Sequence, residues 1–159
     1  MLGSAAAAAL RRAGLRVTTP RLAVLTALAS GGPHTSADAV VSAVRERLGD
    51  GSAQTVYNVL RTFTDVGLVR RIEPAGRPGL YELRVGDNHH HIVCRSCGAI
   101  ADVACAVGGA SCLTAADDSG FDIDEAEVIF WGRCPECRSR ATSEPKPNET
   151  PREEQHRRV

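Results

Sequence analysis

Aromatic side chains are scarce: one Trp, two Tyr and three Phe make up 4% of 159 residues. A core built from this sequence must therefore be filled by aliphatic side chains, and the 43% hydrophobic content supplies them. No run of 18 apolar residues occurs, so no membrane-spanning helix is expected. The opening "MLGSAAAAALRRAG" meets its charges only after its alanines. A secretory signal has the reverse order, with positive charge first and a Leu-rich segment after it. A cytoplasmic protein is expected, with the alanines serving as helix formers. Net charge is absent as well, with 19 basic residues against 19 acidic ones.

That balance conceals an asymmetry. Residues 1–86 carry 11 arginines and 6 acidic residues, an excess of five positive charges, and residues 87–159 carry the opposite excess. A basic half joined to an acidic one fits a nucleic-acid-facing module attached to a second unit. The length suits one ordinary domain or two small ones.

The basic half repeats one grammar. Residues 5–13 read as a short helix ended by Gly14. In "TTPRLAVLTALASGG", Thr19 is the candidate N-cap and Pro20 fits the first turn. Leu22, Leu25, Leu28 and Ala29 form an apolar stripe, and Gly31 and Gly32 stop the helix. Ser36 caps the next helix, with Val40, Val41, Val44 and Leu48 inward and Gly49 at its end. In "SAQTVYNVLRTFTDVG", Val56, Leu60, Phe63 and Val66 face inward and Gly67 terminates. Two β-type runs, "LVRRIEP" and "GLYELRV", flank the turn-rich "AGRPG" and read as a hairpin. Three helices followed by a hairpin is the order of a winged helix-turn-helix.

The outward positions of the last of these helices are Gln54, Thr55, Tyr57, Asn58 and Arg61. Small hydrogen-bonding side chains of this kind, with almost no acid, suit base edges in a major groove. A helix made only for solvation carries Glu and Lys pairs instead. Arg11, Arg12, Arg16 and Arg21, with Arg70, Arg71 and Arg77 of the hairpin, are candidates for neutralising phosphates.

From about Asn88 the texture changes to that of a small α+β unit. "HIVCRSCGAIADV" is strand-like, residues 111–118 are a possible short helix, and residues 127–131 read as a strand. The polar, Pro-bearing end from 141 to 159, which includes His156, is expected to be disordered. Within the unit, Cys94-x2-Cys97 and Cys134-x2-Cys137 form two pairs separated by 36 residues. Two such pairs complete a tetrahedral four-thiolate shell, and in a reducing compartment they indicate zinc rather than disulfides. Thioredoxin-like redox chemistry needs only one pair. In so small a unit the zinc is part of the folding free energy.

Four thiolates saturate one ion, so the histidines of "DNHHHIVC" call for a second site. On a strand His89 and His91 share a face, with His90 opposite, and Asp102 on the following strand can join them. A mixed imidazole and carboxylate set suits Fe2+, Mn2+, Zn2+ or Ni2+ and keeps the ion exchangeable. From the basic half, His34 and Glu82 are candidates to complete the shell. An ion so held would clamp the two halves and make DNA affinity follow metal occupancy.

With "GLRVTTPRLAVL", "HTSADAV", "QTVYNVL", "DNHHHIVCRSCGAIADV" and "GRCPEC" in order over about residues 8–138, the chain resembles the ferric uptake regulator superfamily. "RVGDNHHHIVCRSCG" and "CAVGGASCLTA" are most similar to its actinobacterial branch, which controls catalase-peroxidase genes. The resemblance implies a homodimeric, metal-dependent repressor of α+β fold that binds double-stranded operator DNA. It divides into a winged-helix domain (1–86), a dimerisation and metal-binding domain (87–140) and a tail (141–159). It implies structural Zn2+ on Cys94, Cys97, Cys134 and Cys137. The regulatory ion, Fe2+ or Mn2+ with Zn2+ or Ni2+ as alternatives, would sit on His34, Glu82, His89, His91 and Asp102. The helix with Thr55 and Tyr57 would enter the major groove and Arg16 would reach toward the minor groove.

Ala126 stands where many members have a histidine of a further metal site, so that site is not expected in its usual form. Asn58 replaces the arginine of many iron regulators. Asp102, in place of their glutamate, resembles the peroxide-sensing branch, in which bound Fe2+ reacts with peroxide, a ligand histidine is oxidised and the repressor lets go. Cys105 and Cys112 lie outside the four-cysteine set; they are small buried hydrophobes or a reversible thiol switch. Three rival readings differ from this one. One keeps the fold but senses the level of iron, zinc or nickel. A zinc deaminase needs a His-x-Glu and an open coordination position, and neither is present. A purely structural zinc scaffold leaves His34, Glu82 and the arginine asymmetry without purpose.

Overall fold

The computed structural model describes residues 2–49, 51–74, 76–83, 89–104, 117, 119–122 and 128–143. The first half holds four helices: α1 (Leu2–Arg12), α2 (Thr19–Ser30), α3 (Ala37–Leu48) and α4 (Ala53–Asp65). Around them run three short strands, β1 (Thr35–Ser36), β2 (Arg70–Ile72) and β3 (Leu80–Glu82), in the order β1-β3-β2. The second half is a sheet of β4 (His90–Cys94), β5 (Ile100–Val103) and β6 (Ile129–Gly132) in the order β5-β4-β6, followed by α5 (Pro135–Ser143). This is an α+β fold with a winged helix-turn-helix at its start. No helix among the described residues is long and apolar enough to cross a membrane.

Local chemistry sets the helix ends. The Ser36 hydroxyl accepts the Ala39 amide at 3.2 Å and that of Ser52 accepts the Thr55 amide at 3.1 Å, each satisfying one orphan donor of a first turn. Gly49 ends α3 at φ 72°, a left-handed conformation that costs glycine nothing. For α2 the cap is Thr18, not the expected Thr19, which is the first helical residue; the Thr18 side chain makes no cap hydrogen bond.

The core of the first half is aliphatic, as the scarcity of aromatics requires. Leu10, Val24, Val40, Val56 and Leu60 are buried around Phe63, the largest fully buried side chain. On α4, Val56, Val59, Leu60 and Phe63 follow the i, i+3, i+4, i+7 pattern and leave one polar face outward. Two expected core positions face water instead. Ala29 is exposed in the last turn of α2, and Val66, 41% exposed, lies just past the end of α4 where the 3.6-residue period no longer applies.

Other departures come from tertiary pairing. Strand β1 pairs antiparallel with β3, Thr35 opposite Tyr81 and Ser36 opposite Leu80, so the wing gains a third strand. Strand β6 runs parallel to β4, with Cys94 opposite Gly132. Helix α5 begins at Pro135, which suits a first helical position because its missing N–H is an orphan there anyway. That helix continues to Ser143, three residues into the segment expected to be irregular. The rest of that segment, the possible helix at 111–118, and Cys105 and Cys112 lie outside the described residues.

Candidate metal centres and nucleic-acid face

The parallel register of β4 and β6 explains how two distant cysteine pairs meet. Cys94 ends β4 beside Gly132, and Cys134 follows two residues beyond that point. The four thiols of Cys94, Cys97, Cys134 and Cys137 lie within 4.8 Å of one another. Cys97 Sγ and Cys134 Sγ are 3.7 Å apart, and the Cys134 amide points at Cys94 Sγ at 3.3 Å. Amides of Cys97 and Cys134 directed at the Cys94 sulfur outweigh burial and pull its thiol down to about 5, which favours the thiolate. Cys137 is pushed up to about 12, because hydrogen bonds with the Cys134 and Cys97 thiols favour its protonated form. Four soft donors at this spacing fit one tetrahedral Zn2+.

The second cluster draws on both sheets. His34, just before β1, comes within 3.5 Å of Glu82 at the end of β3. In the other sheet His91 pairs directly with Asp102. Donor atoms of His34, Glu82, His91 and Asp102 all fall within 4.8 Å of one another. His34 Nε2 is 2.8 Å from Asp102 Oδ1 and 3.5 Å from Glu82 Oε2, and His91 Nε2 is 3.5 Å from the same Glu82 oxygen. His89 stands at the edge of this set, its Nε2 3.1 and 3.2 Å from the two Glu82 oxygens. His89, His91 and Glu82 are buried. His90, the member set aside in the sequence, packs its ring on Phe130 at a centroid distance of 6.4 Å.

The donor set fits a divalent cation. His34 Nε2 and Glu82 Oε1 are buried without a hydrogen-bond partner, although Asp102 Oδ1 lies only 2.8 Å from the former. Glu82, buried, and Asp102, at the exposed rim, converge with imidazole nitrogens, and an ion of charge +2 suits this mixed oxygen and nitrogen set. Burial lowers the His91 pKa from its ordinary 6.5, with Glu82 opposing, so His91 is held in the neutral form that ligates metals.

The candidate DNA face is exposed. Gln54, Thr55, Tyr57, Asn58 and Arg61 all lie on the outer side of α4. Gln54 Nε2 donates to Asn58 Oδ1 at 3.0 Å, and Arg61 stands 3.9 Å from Asp65. Arg16 is exposed before α2, its carbonyl accepting a hydrogen bond from Arg21. Of the wing arginines, Arg71 pairs with Glu73. Arg77 turns away from that face: its guanidinium donates to the Arg95 carbonyl at 3.4 Å and lies against Gly98 of the first cysteine turn. It is therefore placed on the second half rather than toward a phosphate.

A winged helical head joined to a thiol-rich sheet, with imidazoles and carboxylates from both at the seam, is the build of a metal-dependent DNA-binding regulator. Residues 12–130 match the ferric uptake regulator family, and the chain belongs to that family. Its members are transcriptional regulators, not enzymes. It is 66% identical over 122 residues to "Ferric uptake regulation protein 1" of Mycolicibacterium fortuitum, covering 77% of this chain and 75% of that one. Identity to "Transcriptional regulator FurA" of Mycobacterium tuberculosis is 59% over 138 residues, covering 87% and 93%. "Peroxide-responsive repressor PerR" of Staphylococcus aureus is 32% identical over 133 residues, covering 84% and 89%. Among solved structures, the ferric uptake regulator of Pseudomonas aeruginosa with manganese matches at a TM-score of 0.61 and 30% identity, covering 82% and 98%.

Proposed function

We propose that this chain is a cytoplasmic homodimeric repressor of peroxide-defence genes, of the catalase-peroxidase kind, that holds operator DNA only while a divalent ion joins its two halves. In this reading residues 1–86 read DNA, residues 87–140 dimerise, and residues 141–159 form an irregular tail. Cys94, Cys97, Cys134 and Cys137 hold structural Zn2+. His34, Glu82, His91 and Asp102, with His89 beside Glu82, hold a regulatory Fe2+ or Mn2+. One observation carries the reading: His34 and Glu82 come from the helical half and His91 and Asp102 from the sheet half, yet their donor atoms converge within 4.8 Å. The ion, when bound, supplies the positive charge that joins these donors and, if ferrous, the electron that peroxide takes.

The chain's own part is geometric. His34 lies just before β1 and Glu82 ends β3, while His91 and Asp102 face each other in the β4–β5 register. Oxidation of a ligand histidine would remove one donor and free one half from the other. Arg16, Thr55, Tyr57, Asn58 and Arg61 then no longer keep one disposition across a dimer, and half-site spacing depends on that disposition. The carboxylate at Asp102 and the similarity to a peroxide-responsive repressor support peroxide as the signal. The names of the relatives at 66% and 59% identity favour a second reading, in which the signal is iron level.

Operator binding with Mn2+ and with Fe2+, each with and without mild peroxide, decides between them. Peroxide sensing predicts that only the Fe2+ form lets go and that its histidine gains an oxygen atom. Equal release of both forms, or release of neither, refutes peroxide as the signal.

A further inference from the structure

Tyr57 does not stand alone on the candidate DNA face. Its hydroxyl donates to Asp38 Oδ1 at 3.3 Å, across 19 residues of chain and from one helix to another. Asp38 belongs to the first turn of α3, while Tyr57 lies in the second turn of α4. Tyr57 is 43% exposed. It forms a shared wall between two clefts. One is lined by Ser36, Asp38, Arg71 and Tyr81, the other by Gln54, Asn58, Arg61 and Tyr81. Among the described residues Asp38 is the only carboxylate lining the first cleft, and the second cleft carries Asp65 beside Arg61 and Arg71. The Asp38 charge also raises the Tyr57 pKa, which keeps the hydroxyl a donor.

We propose that Asp38 is a specificity-determining residue of DNA reading, holding the Tyr57 ring by its hydroxyl so that the ring meets one base pair in one orientation. This rests on the reading above that α4 enters the major groove. A tethered phenol presents its ring to a base edge or a thymine methyl, whereas a free one samples several rotamers and discriminates less. Asp38 is thus a positioning residue that acts through Tyr57, and it need not touch DNA. Its charge, set where phosphates pass, weakens binding to all sequences about equally and so cancels from a ratio of affinities.

The test uses the full-length protein loaded with Mn2+ and a duplex that the wild-type protein selects from a randomised pool. Affinity is measured for that duplex and for versions with single A·T and T·A exchanges, and specificity is the ratio. Asp38→Ala and Tyr57→Phe are each expected to cut the ratio at one shared position by about five- to tenfold. The double variant should lose no more than either alone. Asp38→Asn, which keeps an oxygen acceptor for the hydroxyl and perturbs α3 least, should retain most of the ratio. Because the chain has only two tyrosines, alkaline absorbance titration should show one phenol ionising at lower pH in Asp38→Ala. An unchanged ratio in Asp38→Ala, additive losses in the double variant, or an Asn variant as impaired as the Ala one would each overturn the proposal. If Tyr57→Phe and Tyr57→Ala both bind every duplex as the wild type does, the groove-reading assignment of α4 fails as well.

Discussion

Replacing Glu82 with glutamine separates a site built for a cation from a cluster of buried ion pairs. Glu82 is 2% exposed, and its carboxylate lies 3.1 to 3.5 Å from ring nitrogens of His34, His89 and His91. If those contacts were structural ion pairs, removing the charge would cost the metal-free protein about 3–5 kcal/mol, the usual penalty for breaking a buried pair. In a cation site the metal-free protein carries an uncompensated buried carboxylate. Glutamine, of the same shape, then leaves stability unchanged or raises it by about 1–2 kcal/mol. With metal the sign reverses. At Mn2+ a thousandfold above its dissociation constant, binding adds about 4.1 kcal/mol to stability. Loss of one anionic ligand weakens binding at least about 100-fold, so the same Mn2+ concentration adds only about 1.4 kcal/mol. For a chain of this size the difference of about 2.7 kcal/mol lowers Tm by about 5–11 °C. Thermal melts of wild type and Glu82→Gln, at one protein concentration with and without Mn2+, read both effects. A metal-free variant several kcal/mol less stable, with an undiminished Mn2+ increment, would refute the cation site.

Cys97→Ser should release the metal of the four-thiol cluster. Structural zinc contributes on the order of 10 kcal/mol to small metal-dependent folds, so the variant should lose the cooperative unfolding of the β4–β6 half while the helices of the first half still melt. Circular dichroism together with metal analysis checks this. Acidification gives a third outcome. Burial keeps folded His91 neutral while the unfolded chain takes up a proton near pH 6.5. The unfolded state then binds more protons, and metal-free stability falls as the pH drops below about 6.5. Protons compete with the ion for the same imidazole, so Mn2+ affinity should fall over the same range. A Tm and a Mn2+ affinity that stay flat from pH 7.5 to 5.5 would exclude this.

Features decided within a few residues were readable in advance. Ser36 and Ser52 cap helices because a hydroxyl one step before the first turn reaches its amide, and Gly49 ends one because it alone adopts φ 72° without strain. The outward set of α4 follows from the 3.6-residue period, and the two Cys-x2-Cys pairs announce their chemistry by spacing alone. Misjudged positions sit where the period stops applying. Val66 falls past the end of α4, and α5, which no apolar period announces, opens at Pro135. Arg77, basic and in the wing, suggests a phosphate contact; only the folded chain turns it onto Gly98.

By itself, then, the sequence determined the helices α1 to α4, their polar and apolar faces, and the presence of thiols, imidazoles and carboxylates in numbers fit for two ions. Where those donors meet was decided by tertiary structure. A two-residue strand is too short to leave a periodic trace, yet its pairing with β3 brings the segment that carries His34 beside Glu82. The parallel pairing of β4 with β6 brings Cys134 to Cys94 across 40 residues. Periodicity encodes which way a side chain points along its own element. Distances between elements come from backbone hydrogen bonds between strands, and every residue offers those equally.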